Sequence, residues 1–226
     1  MTLLVIVPAR GHRKQAEALL ESFEKTSDFA ELMFILDPDD EETYEGVDWK
    51  DATAGVLSPR GTVTGKLNRT ADAFLDDYDA IMFARDDNVF LTQGWDTILL
   101  EYLVGGSGML LPDNRRRRDI PEIILITTDV IREMGFFAEP HLSQYYFDNA
   151  WGDLGKASGL LRYVPEVVLE HRHIPGEDED MHQNDGMQGM KDEAIYREWC
   201  AQAFPLQAAK LRRKFNKDLT WILGKI

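Results

Sequence analysis

Apolar residues in the first ninety positions fall into short unbroken runs separated by stretches of helical periodicity, and most runs end in a polar cluster. Residues 3–7 (Leu-Leu-Val-Ile-Val) are followed by Pro8, the pattern of a strand buried on both faces and stopped sharply. Over residues 14–23, Ala16, Leu19, Leu20 and Phe23 recur at helical spacing. Residues 32–36 predict a second buried strand, closed by Asp37-Pro38-Asp39-Asp40, and residues 54–57 a short third one. Gly61 to Gly65 leads into a helix through about Leu75, and residues 80–83 predict a fourth strand that stops at Arg85-Asp86-Asp87-Asn88. This alternation predicts an α/β sheet whose ligands sit at the carboxyl ends of the strands. Arg10, Asp37 and the Asp86 to Asn88 cluster occupy three such ends.

The second half is less regular. The pattern predicts a helix over 95–103, a strand over 123–126, and a short helix capped by Thr127 or Thr128 and stopped at Gly135. A helix over 143–155 and a strand over 164–173 follow, the strand running into Glu170-His171-Arg172-His173. Beyond Pro175 the chain is acidic and rich in Met, Gln and Gly, and helices over about 192–203 and 206–223 end it.

Composition narrows the function classes. The 226 residues are enough for one substantial core, and no segment approaches the ~20 apolar residues of a membrane span. Without a basic leader before residue 3, a cytoplasmic location is expected. The formal charge of −15 argues against a broad nucleic-acid surface. The four consecutive arginines at 115–118 form a local basic patch, either a solvated loop or a mobile cover over a ligand. The lone Cys200 excludes an intrachain disulfide and a thiolate zinc site.

Adjacent carboxylates after a buried strand repel unless a cation or protons compensate, so Asp86 and Asp87 are candidate metal ligands as well as a polar turn. Asn88 adds an oxygen, and His171 and His173, two apart on a predicted strand, share a face and offer imidazole nitrogen. Carboxylate oxygens with an imidazole suit Mn²⁺ or Mg²⁺, with Mn²⁺ favoured by the nitrogen. Gly61-Thr-Val-Thr-Gly-Lys-Leu67 is one residue too short for a phosphate loop and has Leu67 where Ser or Thr is required. Lys66 and Asn68 nevertheless open a helix, where a cation, an amide and free N–H groups can meet a diphosphate. Trp95 and Trp151 are core residues or sugar-stacking surfaces.

Pro8-Ala-Arg10, Asp37, Gly65-Lys-Leu-Asn68, and Phe83-Ala-Arg-Asp-Asp-Asn-Val-Phe90 with Thr92-Gln-Gly-Trp-Asp96 together resemble GT-A-fold glycosyltransferases of the family 2-like type found in bacteria and bacteriophages. The resemblance spans about residues 3–173. It implies a GT-A (Rossmann-like) nucleotide-diphospho-sugar transferase fold with a mixed central sheet and C-terminal helices. A catalytic domain over 1–175 would comprise a nucleotide-binding half (1–105) and an acceptor half (106–175), with residues 176–226 as an acidic loop and helical extension. Pro8, Arg10 and Asp37 would then hold the nucleoside, with Lys66 and Asn68 beside the nucleotide. The family's Asp-x-Asp element maps onto Asp86, Asp87 and Asn88, and His171 or His173 would complete the metal shell. Asp148, after Gly135-Phe-Phe137, would be the catalytic base, with Asp153 and Glu139 as rivals.

The expected activity is metal-dependent transfer of a sugar from a nucleoside-diphosphate sugar to an acceptor, which is a protein side chain, glycan, lipid-linked sugar, small molecule or modified nucleobase. Lys66 or the arginine run would further stabilise the leaving diphosphate. Two other readings compete: a nucleotidyltransferase that shares the α/β nucleotide-binding half, and a non-catalytic nucleotide or sugar binder. The basic amphipathic tail would dock on the domain, dimerise or touch an anionic surface.

Overall fold

A computed structural model of the protein describes residues 1–56, 61–104, 106–172 and 185–215. The described elements run β1 (Leu3–Ala9), α1 (Arg13–Thr26), β2 (Glu31–Leu36), β3 (Thr53–Val56), α2 (Val63–Phe74), β4 (Ala80–Phe83), β5 (Asn88–Phe90) and α3 (Trp95–Glu101). They continue through β6 (Met109–Asp113), β7 (Ile124–Thr127), α4 (Thr128–Met134), α5 (Phe147–Ser158), β8 (Leu161–His171), α6 (Asp185–Gln202) and α7 (Phe204–Phe215). Eight strands form one sheet in the order β3-β2-β1-β4-β7-β6-β8-β5. The pairs β1–β2, β1–β4, β2–β3 and β6–β8 are parallel, whereas β7 and β5 run antiparallel to their partners. The sheet is mixed, as the GT-A resemblance implies.

The unbroken apolar run of β1 is explained by cover on both faces. Leu3, Val5 and Val7 join a core with α1 and α3, whereas Leu4 and Ile6 join a second core with α2, α4 and α5. Strand order reverses at β1, with β2 on one side and β4 on the other, so their carboxyl ends diverge around a crevice. Trp95 and Trp151 are both fully buried, one in each core, which removes them as sugar-stacking surfaces. The indole of Trp151 donates to the carbonyl of Phe137 at 2.6 Å.

Two strands were missing from the periodicity. The three residues of β5 are too few to show alternation, and β6 ends in a proline and an aspartate that read as a turn. The predicted helix over 143–155 begins later, at Phe147, because residues 142–145 are held as a bent loop. Thr64 donates to the carbonyls of Ser143 and Leu142, and the Asp192 carboxylate accepts the N–H groups of Ser143 to Tyr145. No helix among the described residues is long and apolar enough to cross a membrane.

Candidate active site

The nucleoside end of the crevice is built from the first two strands. Asp37 directly follows β2 and is 2% exposed. Its Oδ2 accepts from Lys66 Nζ and from Arg10 Nη1, each at 3.0 Å. Arg10 also grips both oxygens of Asp39, at 2.8 and 3.0 Å, and this bonding to Asp39 holds its guanidinium pKa further above its ordinary value. The other oxygen of Asp37, Oδ1, is buried and accepts no hydrogen bond from any described residue. Pro8, Arg10, Asp37 and Lys66 line one cavity of about 700 Å³ together with His12, Phe83, Arg85 and Asp86. An orphaned buried acceptor costs about 1–3 kcal/mol, so Asp37, which lines the cavity, carries an oxygen with unused acceptor capacity. Lys66, expected beside the diphosphate, lines the cavity and pairs with Asp37 at 3.0 Å.

The acid pair sits in the turn between β4 and β5, where Arg85 N–H donates to Asn88 Oδ1 at 2.8 Å and Asn88 N–H to the Arg85 carbonyl at 3.1 Å. Antiparallel pairing of β5 with β8 sets Asn88 opposite His171, which carries the imidazole to Asp87 across eighty-odd residues of sequence. His171 Nε2 lies 2.8 Å from Asp87 Oδ2, and its Nδ1 lies 3.5 Å from Glu122 Oε2. Arg85 Nε donates to Asp87 Oδ1 at 3.1 Å. Burial opposes ionisation of Asp87, but the His171 bond and the Arg85 charge win and draw its pKa down to about 2. Burial likewise opposes a charged His171, and its bonds to Asp87 and Glu122 outweigh that and raise its pKa. Asp86 turns the other way, its Oδ2 3.3 Å from His12 Nδ1, and lines the cavity. His173 lies outside the described residues. Among the described residues no group of three or more His, Cys, Asp or Glu side chains is set to hold a metal.

The donor chemistry still fits a divalent ion. Magnesium-type sites take one or two protein ligands and complete the shell with substrate phosphates and water. Asp87 Oδ2 and His171 Nε2 lie close enough to share one ion, and Glu122 Oε2 and Arg116 Nη1 both lie beside Nδ1.

The opposite wall comprises Ser143, Gln144, Phe147 and Gln188. Asp148, in the first turn of α5, is half-buried next to Phe147, which lines the cavity. Burial raises its pKa, Glu122 raises it further, and Arg85 opposes them. Its two rivals are engaged elsewhere: Asp153 accepts from the Tyr196 hydroxyl, and Glu139 lies 2.7 Å from His141 Nδ1. Asn68, expected beside the nucleotide, ties α2 to the Phe137–Ala138 segment. Its Oδ1 accepts from Phe137 and Ala138 N–H at 2.9 and 2.8 Å, and its Nδ2 donates to the Ala138 carbonyl at 2.7 Å. The arginine run is engaged by its neighbours. Buried Asn114 accepts the N–H groups of Arg116 and Arg117, Arg115 pairs with Glu170, Arg117 pairs with Asp119, and Arg116 Nη1 lies 2.9 Å from His171 Nδ1. His12, Glu122 and Gln188 went unnoticed in the sequence. Only His12, two residues past Arg10 on the same strand-end loop, carried a local signal.

The fold recurs in known structures. The crystal structure of S. aureus TarS residues 1–349 superposes with a TM-score of 0.56 at 14% identity, over 75% of this chain and 60% of that one. Its complex with UDP-GlcNAc matches with a TM-score of 0.56, over 79% and 61%. Glucosyl-3-phosphoglycerate synthase from Mycobacterium tuberculosis, in complex with Mn²⁺, UDP and glucosyl-3-phosphoglycerate, matches with a TM-score of 0.58 at 14% identity, over 88% and 80%. The fold is GT-A. The GT-A frame is shared while the sequences have diverged: no protein-family model and no curated relative matches. The chain spans less than two thirds of TarS 1–349. The likeness does not single out a bacteriophage type.

Proposed function

We propose that the protein is a glycosyltransferase that takes a sugar from a nucleoside-diphosphate sugar and passes it to an acceptor hydroxyl or other nucleophile. The observation that carries this reading is the single cavity lined both by Asp37, whose Oδ1 has no partner among the described residues, and by the Arg85–Asp86 turn at the end of β4. A carboxylate only accepts, so Asp37 selects a base that presents a ring N–H, and the two structural relatives bound to UDP are consistent with uracil. Asp86 and His12 would meet the ribose and phosphates. Asp87 and His171 would hold Mn²⁺ or Mg²⁺, which supplies Lewis-acid neutralisation of the leaving diphosphate when bound. Arg85 adds fixed positive charge at the same place. Asp148 would accept the proton of the attacking hydroxyl, and its raised pKa suits that task. The organisation into a nucleotide-binding half, an acceptor half and a C-terminal extension belongs to the same proposal.

The test is a panel of UDP-, GDP- and dTDP-sugars with Mn²⁺, followed by thermal shift and by product release. Thermal stabilisation with nucleoside diphosphate release, abolished by EDTA, is the expected result. Pyrophosphate release from nucleoside triphosphates would establish a nucleotidyltransferase instead, and stabilisation without any release a binding protein.

A further inference from the structure

The C-terminal extension reaches the cavity. Gln188, in the first turns of α6, lines its wall, and one turn on, fully buried Asp192 accepts the N–H groups of Ser143 at 3.2 Å and of Gln144 and Tyr145 at 2.9 Å. Gln188 Nε2 donates to Asp192 Oδ1 at 2.8 Å. Because a carboxylate only accepts, this bond fixes the amide with its NH₂ toward Asp192 and leaves Oε1 as the group for another partner. Among the described residues Oε1 accepts no hydrogen bond. Ser143 and Gln144 beside it are also neutral, whereas the cavity's cations, Arg10, Lys66 and Arg85, are paired with Asp37 and Asp87. Neutral amides and hydroxyls read hydroxyl groups; phosphates call for cations. The wall is close to the donor pocket, because α2 touches both: Thr64 N–H donates to the Ser143 carbonyl and Lys66, two residues on, holds Asp37.

We propose that Gln188, aimed by Asp192, is a specificity-determining residue whose Oε1 accepts a hydrogen bond from a hydroxyl of the transferred sugar. This rests on the donor reading above. It places a determinant of sugar choice in the C-terminal helices, which the sequence resemblance leaves uncovered.

Calorimetric titration with UDP, UDP-glucose and UDP-N-acetylglucosamine, each with Mn²⁺, tests it on the full chain. Gln188→Met keeps the side-chain length and removes the amide, and Asp192 retains its three backbone donors, so the thermal midpoint should hold. We expect the wild type to bind one of the two sugar nucleotides more tightly than UDP. Gln188→Met should weaken that sugar nucleotide about tenfold, the scale of one hydrogen bond, and leave UDP unchanged. The inference is overturned if the variant binds both sugar nucleotides as the wild type does, if it loses UDP equally, or if the wild type gains nothing from the sugar. A wild type that binds none of the three compounds, in a panel where no other nucleotide sugar binds, removes the donor reading itself.

Discussion

Asp148 holds its proton more tightly than an exposed aspartate because packing at the start of α5 strips water from its half-buried carboxyl, near Glu122. The sign of the consequence follows from linkage. The folded pKa lies above the ordinary 3.8, so the folded chain binds the proton better than the unfolded one. Ionised Asp148 therefore costs stability, a cost absent below pH 3.8 and complete above the folded pKa. Asp148→Asn keeps the shape and removes the charge. Transfer should fall by about 10² to 10⁴ while stability at neutral pH stays level or rises. In the wild type, kcat/KM should decline as pH falls through a limb lying above 3.8, and the residual rate of Asp148→Asn should lack that limb. A variant with near-normal turnover eliminates Asp148 as the base. At this scale the sequence was readable where chemistry sits at strand ends. Asp37 directly follows the apolar run of β2 and Asp86 lies three residues past that of β4, and both line the cavity. Glu122 and Gln188 have no such marker, because their roles depend on which distant strand or loop lies beside them.

Among the elements, α5 shows how packing overrides local preference. Gly155 lies inside the helix, where propensity favours alanine by about 1 kcal/mol. A Cβ there would stand 2.7 Å from Leu161 Cβ and 3.1 Å from Met109 Sδ, since α5 crosses closely over β8 and β6. The clash with a backbone-anchored Cβ outweighs the propensity gain. Gly155→Ala should destabilise the protein by about 1–3 kcal/mol, read from its urea midpoint, and an unchanged or higher midpoint would refute the close approach. The same dependence on long-range context explains which elements were legible. The runs in β1, β2 and β4 are covered on both faces and speak for themselves. By contrast β5 exists only through its pairing with β8, and β8 serves two partners by shifting register between Val164 and Val168. No pattern within three residues of β5 announces that arrangement, although it is what carries His171 to Asp87.

For the molecule as a whole, the open question is whether residues beyond the GT-A frame fold with it or merely append to it. The amphipathic pattern over 206–223 predicted a basic helix, of which residues 204–215 are described as α7. Three of its described basic residues are engaged within the molecule: Lys210 and Lys214 reach Glu133 at the end of α4, and Arg212 donates to the Ala157 carbonyl on α5. Its apolar face is buried too. Leu211 is 1% exposed and joins Trp199 and Ala208 in the same core as Trp151, Leu154 and Ile131. A helix that shares a core with the sheet loses its own support when that core melts, so extension and frame should unfold together. Leu211→Ala should lower stability by about 2–5 kcal/mol, with fluorescence and far-UV circular dichroism reporting one coincident transition in wild type and variant alike. Two separated transitions, with the variant shifting only the lesser, would show α7 to be an independently melting appendage. In that case the Asp192 clamp on residues 143–145 would depend on α6 alone.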